Sequence, residues 1–247
     1  MCVAYSDSIS FLNTSFAVIR KKKRRSLSIK LQPENFRVYV NSSISDSAIV
    51  DFLNSKKNWL EKNLPIIEQQ QKSRPRVDFY EGSLFPFFGE LKFFSFTETP
   101  LEKLRFAIEE GFLICYVPKQ RPELQYNKTF LKNALVQFYK LKAEDYLIQR
   151  CEFLGQEINL IPAKVKIQTA VTRWGSCTSK KTINLNWKLL VFSKVLIDYV
   201  IIHELCHLQH LNHSAQFWDL VETNCPNYKE AETEIKNQSS WTFFLKK

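Results

Sequence analysis

The sequence predicts an α+β protein with a β-rich front and a more helical back. Three observations carry that reading. Short segments before residue 118 alternate apolar and polar side chains with the two-residue period of a strand. Several longer segments after residue 123 repeat apolar side chains near helical spacing. Pro118 and Pro122 punctuate the change between them. The expected organisation is a β-rich N-terminal region with one helix over 16–118, followed by a second domain over 123–240.

The elements follow in order. Residues 26–41 alternate through Leu27, Ile29, Leu31 and then Phe36, Val38, Val40, with turn chemistry in Pro33-Glu34-Asn35, which predicts a β-hairpin. Ser45 and Asp46 cap a helical pattern carrying Ile49, Phe52, Leu53, Trp59 and Leu60. After a polar connector come two short aromatic strands, FPFFG and LKFFSF, and a hairpin turned at Glu110-Gly111. A long helix is expected over 127–153. Val165, Ile167, Thr169 and Val171 then alternate as a strand, GSCTSKK reads as a loop, and Ile183, Leu185 and Trp187 mark a second strand. Ser193 caps a helix through "KVLIDYVIIHELCHLQHL" that is apolar on most sides, as a buried central helix should be. No internal repeat is visible.

Composition bounds the functional classes. Hydrophobic residues make up 45% and charged residues 24%, which fits a folded domain rather than a disordered chain. No apolar run is long enough to cross a bilayer, so no membrane partner is expected. The N-terminal residues are polar where a signal peptide needs an apolar stretch, and the six cysteines are scattered without a C-x-x-C pair. Both features predict a cytoplasmic protein. The net charge of +10 is concentrated partly in Arg20–Arg25, RKKKRR. That run reads as a solvated basic strand edge, or alternatively as a nucleic-acid or acidic-membrane patch.

All four histidines, His203, His207, His210 and His213, lie within HELCHLQHLNH. On a helix, residues four apart stand about 40° apart and one turn along, so His203 and His207 can share one metal. Glu204 lies about 100° round from His203, beside the metal, where it can reach a bound water. A continuous helix would place His213 about 15 Å from His203. HLNHS, residues 210–214, must therefore end the helix and fold His213 back, and Ser214 is placed to cap the next one. His210 and Asn212 are residue types that tolerate positive φ in such a turn. Three histidines from two elements make a catalytic-type zinc site with an open fourth position.

Competing readings remain at this level. The spacing to His213 fits the metzincin pattern, but His210 replaces its glycine and Met1 is the only methionine, which excludes a Met-turn. A downstream carboxylate, Glu222 or Glu230, could serve as third ligand instead. His210 becomes a rival ligand if the helix ends one residue differently. Cys206 reads as a small buried hydrophobe, and Cys177 lacks a free base to act as a nucleophile. Arg173 and Tyr199 are possible oxyanion helpers, each with a plainer reading as packing or surface charge.

The segments RWGSC (173–177), LNW (185–187), YVIIHELCHL (199–208) and NHSAQFW (212–218) together resemble the YgjP-like zinc metallopeptidases, relatives of the SprT and WLM proteases. The likeness extends over roughly residues 16–237. It implies a zincin-like catalytic domain with a central active-site helix, zinc held by His203, His207 and His213, and Glu204 as the catalytic base. The expected activity is peptide-bond hydrolysis by a zinc-bound water activated by Glu204, on a peptide or protein substrate that pairs with the "KVKIQTAVTRW" strand or its partner. The alternatives are a nucleic-acid-associated protein acting through Arg20–Arg25 on DNA-bound proteins, and a purely structural zinc.

Overall fold

The computed structural model describes residues 8–32, 35–72 and 77–245. Its contacts divide into two compact units, Met1–Arg74 and Pro75–Lys247.

In the first unit, β1 (Ser8–Phe11), β2 (Thr14–Lys21), β3 (Ser28–Gln32) and β4 (Asn35–Asn41) form a sheet in the order β1-β2-β4-β3. The β1–β2 turn uses Leu12 at φ 49° and Asn13 at φ 57°, the left-handed pair of a tight hairpin turn. The hairpin expected over 26–41 is β3 paired antiparallel with β4; its Pro33-Glu34 turn lies outside the described residues. β2 pairs parallel with β4. Phe16, Val18, Val38 and Val40 face inward and cluster with Ile49, Leu53, Leu60 and Leu64. These last four lie on α1 (Asp46–Ser55) and α2 (Lys57–Lys72), two helices broken at Lys56 where one was expected. Trp59, counted on the apolar face, is instead 46% exposed.

The basic run is not a strand edge. Arg20 and Lys21 end β2, an inner strand. Arg20 points inward, where its guanidinium pairs with Asp46 and donates to the carbonyl of Ile44, tying β2 to the start of α1.

The second unit opens with β5 (Leu84–Phe87), β6 (Glu90–Thr99), β7 (Arg105–Glu109) and β8 (Phe112–Pro118), ordered β5-β6-β8-β7. Strand order and directions repeat those of the first sheet: two hairpins whose second strands pair parallel. The topology repeats although the sequence shows no repeat, because only the alternation of apolar positions is shared and not the residues. The expected Glu110-Gly111 turn is present, at φ 46° and 88°. Then follow α3 (Lys128–Glu157), β9 (Lys164–Gln168), β10 (Gly175–Cys177), β11 (Thr182–Asn186), α4 (Lys194–Cys206), α5 (Ala215–Asn224) and α6 (Tyr228–Gln238).

A boundary near residue 120 was expected; the units divide 45 residues or so earlier on the scale of the chain, between 74 and 75. The reason is packing across that expected boundary. Phe85, Phe87, Phe94 and Leu113 share one core with Tyr139 and Leu147 of α3 and with Ile201 and Leu205 of α4. The Tyr139 hydroxyl donates to Pro86 O at 2.5 Å, and Phe88 N donates to Leu190 O at 2.7 Å. Gly89 has φ +79°, and a β-carbon on it would stand 2.7 Å from Ser193 Cα, so the β5–β6 turn rests on the cap of α4. Arg150 of α3 grips Asp198 of α4 through two 2.7 Å bonds, a bidentate pair that fixes the helix from its other side.

Candidate active site

α4 carries the site because its sequence is apolar nearly all round. Ile197, Ile201, Leu205 and Cys206 are fully buried, so the helix is held on several sides and its polar residues are few and placed. Ser193 caps it as expected. It ends at Cys206, with Leu208, Gln209 and His210 closing back on Leu205 and Cys206 through N–H···O bonds of 2.9 to 3.2 Å. Ser214 then caps α5, as the sequence predicts, accepting from Phe217 N at 3.4 Å. Neither His210 nor Asn212 adopts positive φ, so the turn is made with ordinary backbone conformations.

This turn brings His203, His207 and His213 together, with one ring nitrogen from each within 4.8 Å of the others. Nε2 of His213 lies 3.2 Å from Nε2 of His203. Two nitrogens bound tetrahedrally to zinc at 2.0–2.1 Å stand about 3.3 Å apart, so the spacing fits that metal. Nδ1–H of His207 donates to the carbonyl of His210 at 2.9 Å, which fixes the tautomer and leaves Nε2 bare. His210 thus contributes its backbone; among the described residues the metal-capable group contains neither its ring nor Glu222 or Glu230.

Aromatic rings set the orientation of the imidazoles. Phe217, fully buried, stacks on His207 at 4.4 Å, and Trp218 stacks on His213 at 5.6 Å with Tyr228 stacked behind it at 5.3 Å. Burial and the neighbouring imidazoles lower the His203 pKa to about 4, keeping it neutral and able to donate its lone pair.

Glu204 is 6% exposed, and burial pushes its pKa up to about 8, opposed by the Arg173 guanidinium. Its Oε2 is buried without a protein partner. Gly175 of β10 lies directly against it: a β-carbon there would sit 2.5 Å from Glu204 Cγ and Oε1. Sequence reasoning missed this glycine, although it is one of only five in the chain.

β10 itself falls in the segment read as a loop, and β9 ends at Gln168 before the expected Thr169 and Val171, the latter 96% exposed. Residues 169–174 leave the sheet because Asn186 and Trp187 hold them. Asn186 Nδ2 donates to Ala170 O and Arg173 O at 3.0 Å each, and Trp187 Nε1 donates to Thr169 Oγ1 at 2.9 Å. Trp187 begins a 3-10 turn after β11 instead of extending the strand.

The sheet order is β10-β11-β9, so β10 is an edge. Asn186 N donates to Trp174 O at 2.8 Å and Thr178 N to Thr182 O at 3.0 Å. In the antiparallel alternation, Gly175 and Cys177 therefore direct their own N–H and C=O groups away from β11. This edge borders a cleft of about 500 Å³ that includes Tyr199, Leu211 and Ile235 as well as the three histidines and Glu204. Cys177 lines it too, but burial raises its thiol pKa, so it stays protonated. Cys206 is buried with its thiol raised to about 12. Arg173 and Tyr199 both line the cleft, and so does Glu232, which the sequence did not single out.

Among solved structures, the metallopeptidase zymogen abylysin of Pyrococcus abyssi is similar at 26% identity and a TM-score of 0.35, over 37% of this chain and 93% of that one. The zymogen jannalysin of Methanocaldococcus jannaschii is similar at 22% identity and a TM-score of 0.33, over 38% and 96%. No curated protein matches the chain. The model of the YgjP-like metallopeptidase domain matches residues 25–238, and the chain, a hydrolase, belongs to that family.

Proposed function

We propose that this chain is a zinc-dependent peptidase in which His203, His207 and His213 hold the metal and Glu204 is the base. The observation that carries the reading is the trio of imidazoles at metal-binding spacing, open to the cleft, with a buried carboxylate beside them. A structural zinc closes all four positions; here the described residues supply three, and His213 is exposed.

When bound, zinc supplies a Lewis acid that polarises the scissile carbonyl and lowers the pKa of a water it holds. Glu204, buried and lining the same cleft as the three imidazoles, takes the proton from the attacking water and hands it to the leaving amine. The free edge of β10 aligns the peptide through the main chain of Gly175 and Cys177, in place of the KVKIQTAVTRW segment or its partner that the sequence suggested. Asn186 keeps that edge in register by holding the segment before it. Arg173 and Tyr199 stay outside the assigned machinery, since nothing ties either to a reacting atom.

The five described cysteines are free, which supports a reducing, cytoplasmic setting. No described helix is long and apolar enough to cross a membrane. The test is chelation followed by add-back on an unstructured protein substrate such as casein. Hydrolysis should vanish with a chelator and return with stoichiometric zinc. Hydrolysis that survives complete metal removal would overturn the proposal.

A further inference from the structure

The first unit has a charge distribution that the peptidase reading does not use. Residues 8–32 and 35–41 contain eight lysines and arginines and no aspartate or glutamate. Its described carboxylates, Asp46, Asp51, Glu61 and Glu68, all lie on α1 and α2, which pack on the opposite face of the sheet.

The inner face takes Phe16, Val18, Val38 and Val40, so the alternate residues project outward. Lys30 lies opposite Arg37, Ser28 opposite Tyr39, and Ile19 beside Tyr39, which places these side chains on one face at neighbouring positions. Lys21 comes from the end of β2, its Nζ 5.8 Å from the Tyr39 ring centre. Arg24 reaches over the same ring at 5.3 Å and is fixed there by bonds to Ser26 O at 2.7 Å and Ser28 Oγ at 2.6 Å. Two of its five N–H donors are engaged by those bonds, and three stay available. The cations around the ring lower the Tyr39 hydroxyl pKa, with Arg37 the first cause.

We infer that this outer sheet face binds single-stranded nucleic acid. Lys21, Lys30 and Arg37, with the exposed Lys22 and Lys23 of the adjoining turn, contact phosphates, while Tyr39 and the Arg24 plane stack bases. A broad sheet face with an aromatic ring among cations suits unstacked bases, whereas a duplex groove admits a helix or a narrow ribbon. A membrane surface is a poorer fit, because the unit's exposed large hydrophobics, Trp59 and Ile66, lie on α2 and not on this face.

The test is fluorescence anisotropy of the full chain with labelled oligo(dT) and oligo(U), against a duplex of the same length, polyglutamate and phosphatidylserine vesicles, at about 50 mM salt and above. Either single strand should bind at least about ten-fold more tightly than the duplex. Tyr39→Ala should weaken binding about ten-fold. Lys22→Glu with Lys23→Glu, both at exposed turn positions, should weaken it further and flatten the log–log salt dependence by about 1.4. Arg37→Gln gives an independent check, and matching circular dichroism secures the fold of each variant. Zinc content and peptide hydrolysis should be unchanged throughout. No binding at low salt, indifference to Tyr39→Ala, or equal affinity for polyglutamate or vesicles would each overturn the inference.

Discussion

Gly175 lies so close to Glu204 that any β-carbon at position 175 would overlap the carboxylate, at 2.5 Å from Oε1. The strand that would hold the substrate and the base that would activate the attacking water are thereby in direct contact. Gly175→Ala must push Glu204 out of place. Because about 1 Å of misplacement can cost 10²-fold in rate, hydrolysis should fall by about that factor while zinc stays bound. Steady-state kinetics with metal analysis decides it; an unchanged kcat would show that Glu204 tolerates the shift.

The three histidines should behave differently from their neighbours. His203→Ala, His207→Ala and His213→Ala should each lower zinc affinity well beyond the about 10–100-fold expected from losing an outer partner. His210→Ala should lose little, because the His210 contribution is its carbonyl. Competition with a chromophoric chelator measures all four. Full affinity in His213→Ala would remove the third ligand from the account.

Trp218 stacks on His213 and is itself backed by Tyr228. Trp218→Ala should free the His213 ring and weaken zinc binding by about 10-fold. In the wild type, zinc binding should change tryptophan emission, and this signal should shrink in the variant.

Stability of the metal-free protein should depend on pH through the same groups. Glu204, raised from 4.5 to about 8, holds a proton in the folded chain that the unfolded chain has lost. Its contribution is therefore full at low pH and declines as pH rises from about 4.5 to about 8. His203, lowered from 6.5 to about 4, acts oppositely: its contribution is lost as pH falls from about 6.5 to about 4. Between pH 6.5 and 8 only the carboxyl slopes, so chelated wild type should lose stability there, by at most about 1.4 kcal/mol per pH unit. Glu204→Gln should be flat over that window in chemical denaturation.

What could be read from the chain follows from how local each signal is. His203 and His207 lie one helical turn apart, and a cap at Ser214 returns His213 within a single turn, so the grouping follows from spacing alone. β10 was hidden because Gly175-Ser176-Cys177 is too short and small to show alternation; its role comes from pairing with β11 and contact with Glu204. The division at residue 74 was hidden for a similar reason. Pro118 and Pro122 are strong local punctuation, but Phe87 finds Phe138 and Tyr139 across them. The inward turn of Arg20 towards Asp46 is equally non-local, and a run of six basic residues gives no hint that one of them is structural.

The most direct test of the proposed chemistry compares zinc content and peptide hydrolysis in the wild type and in Glu204→Gln. The substitution removes the base but none of the three imidazoles. Both proteins should carry one zinc per chain, and only the wild type should hydrolyse peptide, with the variant lower by at least about 10²-fold. Zinc-loaded wild type that cleaves no substrate in a broad peptide library, or Glu204→Gln that cleaves at the wild-type rate, would contradict the assignment.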